Sequence, residues 1–292
     1  MNYQLENECL QITLSSHGAE LTGVTSKEGI EYLWYADKKY WERHSPVLFP
    51  IVGKVLENEY EYKTKDGISK KYALTQHGFA RDSEFQVTSQ DERHIEFTLE
   101  SSEATKEKYP FDFSLKIIYE LEKNAVKTSY VVENKSEETM YFAIGAHPGF
   151  NWPLTDDALE DYYIEFEKEE VAQRLLVTSE AYLSGEVETY PVKQMALSKE
   201  FFEAGTTVLT NLQSEYVVLK SKKSDHSVTV TIKGFPFLGI WSPETGAPFV
   251  CIEPWVGHTD YVGCSKEIGN KKDFVALEEG KNVSYSYTMS FK

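Results

Sequence analysis

The segment FDFSLKIIYEL, residues 111–121, alternates apolar and other side chains with a period of two, and this pattern constrains the fold more than any other feature of the chain. Because successive side chains of a β-strand point to opposite faces of a sheet, the alternation predicts a strand with one buried face. The segment AVKTSYVVEN follows after the polar residues 122–124 and alternates again, which predicts a β-hairpin. The apolar positions of the first strand are Phe111, Phe113, Leu115, Ile117, Tyr119 and Leu121.

The same period of two recurs from the beginning of the chain to its end, in residues 10–14, 228–232 and 285–291. Helical spacing is confined to two short segments, ADKKYWERH at residues 36–44 and SKEFFEAG at residues 198–205, where Ser198 is a candidate N-cap. Neither an internal repeat nor a linker rich in Pro, Gly and Ser divides the chain. The sequence therefore predicts one all-β domain over residues 1–292, a large antiparallel β-sandwich with few short helices.

Charge and hydropathy argue against two classes of partner. Asp and Glu number 47 against 30 Lys and Arg, and the resulting formal net charge of -17 disfavours nucleic acid and anionic membrane, which both require basic patches. The opening residues, MNYQLENECL, lack the apolar core of a signal peptide, and no segment approaches the ~18 apolar residues of a membrane span. We expect a cytoplasmic protein, and both a monomer and a dimer remain open.

Motifs for metals, cofactors and nucleotides are absent from the sequence. The three cysteines have no CxxC spacing, which argues against a disulfide framework and a zinc site. No histidine pair has HxH or HxxxH spacing with a carboxylate, and GxSxG, GxGxxG and Walker sequences do not occur. We therefore expect neither a metal ion nor a cofactor.

Four segments combine polar side chains with an apolar, turn-forming context. These are SPVLFPIVGKV with Lys54, LTQHGFARD with His77 and Arg81, YFAIGAHPGFN with His147, and GIWSPETGAPFVCIEPWVGHTD with Trp241, Glu253, Trp255 and Asp260. Ligands of β-sandwiches bind on a concave face or among the loops at the rim, where residues near strand ends reach them. The four segments are therefore candidates for one site.

Glu253 is the most unusual of these residues because APFVCIEPW reads as a buried strand. A carboxylate in such a strand costs several kcal/mol unless it is paired with a cation or opens into a pocket. In a structural interpretation, Glu253 pairs with Arg81 or Lys54. In a functional interpretation, it is a general base that lines a cleft between tryptophan rings.

His147, Trp241 and Trp255 also have two interpretations. A histidine at the end of a strand is commonly a structural group, and each tryptophan alone is explained by core packing. Tryptophan faces beside a carboxylate and histidines nevertheless suit a sugar, because a pyranose ring has apolar C–H faces and a rim of hydroxyl groups. We interpret most of the remaining histidines as surface or structural residues: His17, His44, His94, His226 and His258.

The segments FPIVGK, HGFAR, AHPGFN and CIEPWVGHTD resemble, in this order, motifs of the aldose 1-epimerase (galactose mutarotase-like) family, and most of all its bacterial LacX-like branch. The resemblance covers residues 1–292. It implies a galactose mutarotase-like supersandwich that binds a sugar in an open cleft. It also implies that His147 is the general acid, that Glu253 is the general base, and that His77 binds the sugar near its ring oxygen.

The resemblance further implies a basic residue behind the glycine of the VG[RK] segment, here Lys54, with Arg81 as a second basic candidate. The galactose mutarotases proper have arginine at the first position, and they have an Asp-His-Asn-Phe stretch that this chain lacks. Lysine is a point charge that does not form the bidentate contact of arginine. These two differences from the galactose mutarotases affect the expected specificity for galactose, and they leave the predicted general acid and general base unchanged.

Three functional hypotheses are consistent with these residues. The leading hypothesis is an isomerase that interconverts the α and β anomers of an aldohexose, with a carboxylate and an imidazolium on opposite sides of the sugar ring. An epimerase of hexose 6-phosphates would need a basic cluster, which Lys54 and Arg81 are candidates to supply. A sugar-binding protein without catalysis would not need both His147 and Glu253.

Overall fold

The computed structural model describes all 292 residues, and antiparallel strands dominate it. Strands contain 51% of the residues and helices 7%, which confirms the predicted all-β class. The strands are β1 (Asn2–Glu6), β2 (Leu10–Ser15), β3 (Glu20–Ser26), β4 (Val47–Leu48), β5 (Glu59–Lys63), β6 (Ser69–Ala73), β7 (Gln86–Gln90), β8 (His94–Glu100), β9 (Phe113–Glu122), β10 (Ala125–Asn134), β11 (Met140–Phe142), β12 (Ile144–Ala146), β13 (Gly149–Asn151), β14 (Tyr162–Val177), β15 (Leu183–Ala196), β16 (Thr207–Thr210), β17 (Tyr216–Ser221), β18 (Ser227–Thr231), β19 (Phe237–Trp241), β20 (Phe249–Val256), β21 (Val275–Leu277) and β22 (Asn282–Phe291).

Helical structure is limited to single turns. The two α-helical turns are α1 (Glu103–Lys106) and α2 (Lys199–Phe202), and the four 3₁₀ turns are Leu56–Asn58, Ala80–Asp82, Leu159–Asp161 and Ile268–Asn270. The prediction at residues 198–205 is confirmed, because the Ser198 side chain accepts a hydrogen bond from the Phe201 N–H at the start of α2. None of these helices has the length and apolar character that crossing a membrane requires.

The prediction of a helix at residues 36–44 is wrong. Ala36 has a φ of 59°, and the Asp37 side chain accepts from the Lys39 N–H, so the segment forms only a turn. The backbone N–H groups of Tyr40 and Trp41 both donate to the Asp37 carbonyl, after which the chain leaves the helical path. Local side-chain bonding by aspartate competes here with helix propagation.

Fifteen of the strands form one large sheet. Its order is β4-β12-β20-β19-β16-β14-β17-β18-β22-β10-β9-β8-β7, with β13 also paired to β20 and β15 to β14. The sheet branches at the long strand β14, which pairs with β17 through residues 162–166 and with β16 through residues 173–175. Smaller sheets are β1-β2-β3, β5-β6 and β11-β21.

The predicted hairpin is the pair β9 and β10, which are joined by Lys123 and Asn124 with the register Glu122↔Ala125. The alternating apolar residues of β9 are buried, and so are Val126, Thr128, Tyr130 and Val132 of β10. One continuous core unites residues from β1 to β22. Strand β20 is buried on both of its faces, and this position brings its polar residue into the interior.

Candidate active site

Glu253 lies near the middle of β20, a strand in which every residue is buried. Alternate residues of this strand enter the main core. Glu253 is 1% exposed, and its neighbour across the sheet is Gly239 of β19, which has no side chain to cover the carboxyl group. By strand alternation, the opposite face presents Phe249, Cys251, Glu253 and Trp255.

His147 faces Glu253 because of the register of two short strands. β12 pairs with β20 at Gly145↔Trp255, and β13 pairs with it at Gly149↔Cys251. His147 lies in the break between β12 and β13, and therefore opposite Glu253. Its Nε2 atom is 3.1 Å from Oε2 of Glu253, and both residues are buried.

The pKa values of the two groups shift in opposite directions. Burial raises the pKa of the Glu253 carboxyl well above its ordinary value of 4.5, and the indole N–H of Trp255 opposes this only in part. Burial lowers the pKa of the His147 imidazole from 6.5 to about 3. Both shifts favour uncharged groups, because charge is poorly solvated there. The shifts therefore favour one mobile proton on the pair, held by the carboxyl group.

His77 borders the pair and is also uncharged. Its Nδ1 atom accepts a hydrogen bond of 3.1 Å from the Gly53 N–H, and its own backbone N–H donates to the Gly53 carbonyl at 2.7 Å. A neutral imidazole that accepts at Nδ1 carries its hydrogen on Nε2. Burial, the adjoining His147 ring and the charge of Arg81 together keep the pKa of His77 well below 6.5. The His77 and His147 rings meet edge to face, with centroids 5.4 Å apart.

The residue after His77 explains the geometry of this turn in physical terms. Gly78 has a φ of 70°, and a Cβ atom at this position would lie 2.3 Å from the carbonyl oxygen of Phe49. Only glycine tolerates both conditions without strain. The HG dipeptide therefore lets residues 76–78 pack against the FPIVGK segment, and it brings His77 beside His147.

Three tryptophans surround the pair. The Trp41 ring lies along His147 with centroids 5.0 Å apart, and Trp241 meets His147 edge to face at 5.5 Å. Trp255 lies against the sheet, where a Cβ atom at Gly145 or Gly239 would lie 2.5 or 2.6 Å from its ring. Trp41 and Trp241 therefore supply apolar walls, whereas Trp255 presents little open ring surface.

These residues line one cleft of about 610 Å³, within the usual size range of small-ligand sites. The end of β14 and the loop after α2 also contribute to the lining. The cleft lining includes His77, Arg81, His147, Trp241, Glu253 and Trp255 among the predicted residues, and also Trp41, Gln76, Glu203, Glu244 and His258.

Of the two predicted basic residues, the cleft contains one. Arg81 lines it, and its guanidinium donates to the Gln76 carbonyl at 2.6 Å. Lys54 turns away from the lining and donates from Nζ to the Glu180 carbonyl at 3.0 Å. Neither forms an ion pair with Glu253, so the structural interpretation of this carboxyl group is wrong.

Asp260 does not fit the predicted contact with a sugar. It is buried outside the cleft lining, forms an ion pair with Lys271, and accepts a hydrogen bond of 2.7 Å from the Leu56 N–H. The Lys271 side chain is 1% exposed. Asp260 therefore neutralises a buried ammonium and joins the loop after β20 to the turn at residues 56–58.

Two residues of the cleft, Trp41 and His258, were not among the site residues predicted from the sequence. Trp41 was part of the segment interpreted as a helix, and no polar motif drew attention to it. His258 lines the cleft, with Nδ1 2.7 Å from the Thr259 carbonyl and Nε2 3.1 Å from the Asp273 carboxylate. Its position within the CIEPWVGHTD motif was the available signal.

A metal ion is a poor fit to this site. One donor atom each from His147, Cys251 and Glu253 lies within 4.8 Å of the others, a cluster that spacing along the sequence does not reveal. Cys251 is fully buried, and burial raises the pKa of its thiol well above 9.0, which disfavours the thiolate that a metal would bind. The carboxyl group likewise favours its protonated form.

Comparison with known proteins identifies the family. The sequence profile described as Aldose 1-epimerase matches residues 1–290. This chain belongs to the aldose 1-epimerase family. It is 33% identical over 276 residues to the chromosomal protein LacX of Lactococcus lactis subsp. lactis, covering 92% of this chain and 91% of that protein.

Two solved structures are similar over nearly their whole length. A galactose mutarotase related enzyme from Lactobacillus acidophilus has a TM-score of 0.95 and 35% identity, covering 100% of this chain and 97% of that chain. A galactose mutarotase-like protein from Lactobacillus casei has a TM-score of 0.93 and 32% identity, with both chains fully covered. The predicted family and galactose mutarotase-like fold are confirmed, and membership supports an isomerase-type enzyme that acts on sugars.

We predict that Asp260→Ala destabilises the protein strongly. The substitution leaves the buried Lys271 ammonium without its counter-ion, which typically costs about 3–5 kcal/mol. Thermal or urea unfolding measures this loss. Asp82→Ala is the control, because the Asp82 side chain is 49% exposed and exposed ion pairs contribute at most about 1 kcal/mol. Equal, small losses for both variants would contradict the role of Asp260.

Proposed function

We propose that this protein is an aldose 1-epimerase that interconverts the α and β anomers of a free aldohexose by acid–base catalysis. The observation that carries the proposal is the 3.1 Å contact between Nε2 of His147 and Oε2 of Glu253 at the edge of a cleft walled by aromatic rings. Two buried groups with opposite pKa shifts are the usual sign of an acid and a base that act together.

Anomer exchange requires two proton transfers, one at O1 and one at O5, the two oxygen atoms bonded to C1. Ring opening moves the proton of the O1 hydroxyl to a base while the ring oxygen O5 receives a proton from an acid, and the C1–O5 bond breaks as the C1=O1 bond forms. With His147 cationic and Glu253 ionised, His147 protonates O5 and Glu253 accepts the O1 proton. Both groups are then neutral. Rotation about C1–C2 and the reverse transfers give the other anomer and restore the pair.

The pair therefore keeps the same number of protons through the whole reaction. Its neutral form, favoured by burial, and its ionic form differ only in the position of one proton. O1 and O5 are both bonded to C1, so neighbouring catalytic groups serve both oxygens. In the proposed mechanism the two groups therefore act side by side, and not from opposite sides of the ring.

Further residues have roles that suit a sugar. The Nε2–H of His77, which lies 3.3 Å from the Gln76 side-chain amide, is a neutral donor that is suited to a ring or hydroxyl oxygen beside His147. Trp41 and Trp241 offer apolar surfaces to the C–H faces of a pyranose. Arg81 is suited to a hydroxyl group at the cleft wall. A binding protein without catalysis would gain nothing from a carboxyl group with both oxygens buried and without a hydrogen bond.

Charge in the cleft supports an unphosphorylated substrate. Arg81 is the one lysine or arginine of the lining, and the exposed carboxylates of Glu203 and Glu244 line it as well. Arg43 lies nearby but pairs with Asp82 at 2.7 Å. A phosphate dianion generally requires several charge-assisted donors. The basic cluster needed by a hexose 6-phosphate epimerase is therefore lacking.

We predict that His147→Ala and Glu253→Gln each reduce kcat/KM by ~10²–10⁴-fold, the usual contribution of one positioned acid or base. Exchange between the anomer resonances of glucose and galactose in NMR spectra measures the rate, with EDTA present to exclude stray metals. Lys54→Ala is the control, because Lys54 is outside the lining. Folded variants with losses below about tenfold would refute the assignment.

The pH dependence follows from the two pKa shifts. The pair gains a second proton only as the pH falls through the His147 value of about 3. It loses its mobile proton only as the pH rises through the elevated pKa of Glu253. We predict constant kcat/KM through neutral and mildly acidic pH. The acidic and alkaline limbs of the pH–rate profile should report pKa values of the pair as a whole, not of either residue alone. An acid limb centred at the ordinary histidine value of 6.5 would contradict this prediction.

We predict that glucose has a kcat/KM at least about tenfold above that of glucose 6-phosphate, equivalent to ~1.4 kcal/mol of discrimination. The reason is repulsion of the phosphate by Glu203 and Glu244, with Arg81 as the single compensating cation. Anomer exchange is measured for both sugars at equal ionic strength. A preference for the phosphate ester would establish the alternative substrate class.

A further inference from the structure

Trp255 is held in one orientation by the backbone of its neighbours. Its ring spans Gly145 of β12 and Gly239 of β19, the two strands that flank β20. A Cβ atom at Gly145 would lie 2.5 Å from Cδ1, and one at Gly239 would lie 2.6 Å from Cζ2. Two glycines thus make room for the indole on the floor of the cleft. This arrangement fixes the direction of its N–H bond.

The N–H group of Trp255 and the carboxyl group of Glu253 are both without hydrogen bonds. Nε1 of Trp255 is buried and has no acceptor, and neither Oε1 nor Oε2 of Glu253 receives a hydrogen bond. The residues are two apart on β20, so their side chains share one face. Unsatisfied buried polar groups are uncommon in proteins and require an explanation.

We infer that Trp255 is a positioning residue for the base: its indole N–H donates to the Glu253 carboxylate in the ionic form of the His147–Glu253 pair. This inference rests on the proposed function, because only an acid–base cycle alternates the carboxyl group between neutral and ionic forms. The neutral carboxyl group has little need of the donor. The ionised carboxylate is stabilised by it, and hydrogen bonds at catalytic sites commonly close only in the complex.

Electrostatics supports this role independently of the packing. The indole N–H lies close enough to the carboxyl group to lower the pKa of Glu253, against the larger opposite effect of burial, although it does not complete a hydrogen bond there. No lysine or arginine contacts the carboxyl group, and the one ion-pair partner within 4.0 Å is His147. Trp255 therefore differs from Trp41 and Trp241, which pack on the His147 ring.

Trp255→Phe tests this role, because it removes the N–H group and keeps an aromatic ring between the two glycines. A hydrogen bond to a charged group typically contributes enough to change kcat by about ten- to hundredfold. We expect such a loss of kcat with KM nearly unchanged. Since the donor lowers the Glu253 pKa, its removal raises that pKa, and the alkaline limb of the rate moves to higher pH. A role in packing alone would not move this limb.

Gly239→Ala is a second variant that retains every polar group of the site. Its Cβ atom forces the indole away from its place, so we expect a loss of kcat here too. Trp241→Phe is the matched control, which should raise KM and leave the alkaline limb unchanged. Circular dichroism and thermal melting establish that each variant is folded.

Wild-type kcat and an unmoved alkaline limb in folded Trp255→Phe would overturn the inference. If Trp255→Phe does not fold, wild-type kcat and an unmoved limb in Gly239→Ala would have the same consequence. The proposed function fails in a different way, namely by the absence of anomer exchange in the wild-type protein with every aldose tested. The two failures are thus distinguishable.

Discussion

The burial of the Glu253 carboxyl group without a cation is the constraint on which the site depends. Such a group is costly to ionise, so it retains a proton that an exposed glutamate would have lost. His147 is the titratable group in contact with it, and burial makes this imidazole equally reluctant to carry a charge. One mobile proton is therefore confined between two groups in a cleft. That arrangement is suited to a reaction in which one proton leaves and another arrives at neighbouring oxygen atoms.

The fold supplies this contact through strand register rather than through local sequence. β12 and β13 pair with the same strand, β20, and the break between them contains His147. Gly239 leaves the cross-strand position beside Glu253 open, and Gly145 and Gly239 together admit the Trp255 ring. Gly78 permits the close approach that brings His77 to the pair. Backbone geometry at a few glycines thus determines which polar groups meet.

Elements that depend on residues close together in the sequence could be predicted from short-range patterns. The β9–β10 hairpin and the α2 turn followed from alternation and from the Ser198 N-cap, because each involves adjacent residues. The resemblance of motifs located His77, His147 and Glu253 in one cleft. Motifs did not reveal side-chain direction: Lys54 and Asp260 belong to the same motifs but turn toward Glu180 and Lys271. Trp41 was missed because its contacts with His147 depend on tertiary packing.

Nuclear magnetic resonance titration of the His147 imidazole tests the central claim most directly. Labelled histidine, with the resonance assigned by comparison with His147→Ala, reports the charge of this ring in the free protein. We expect a neutral imidazole throughout the range of about pH 5–8 in which an ordinary histidine titrates. We also expect the ring to remain neutral until the pH approaches about 3. A midpoint near 6.5 would show that the two groups do not hold a single confined proton, and it would contradict the account.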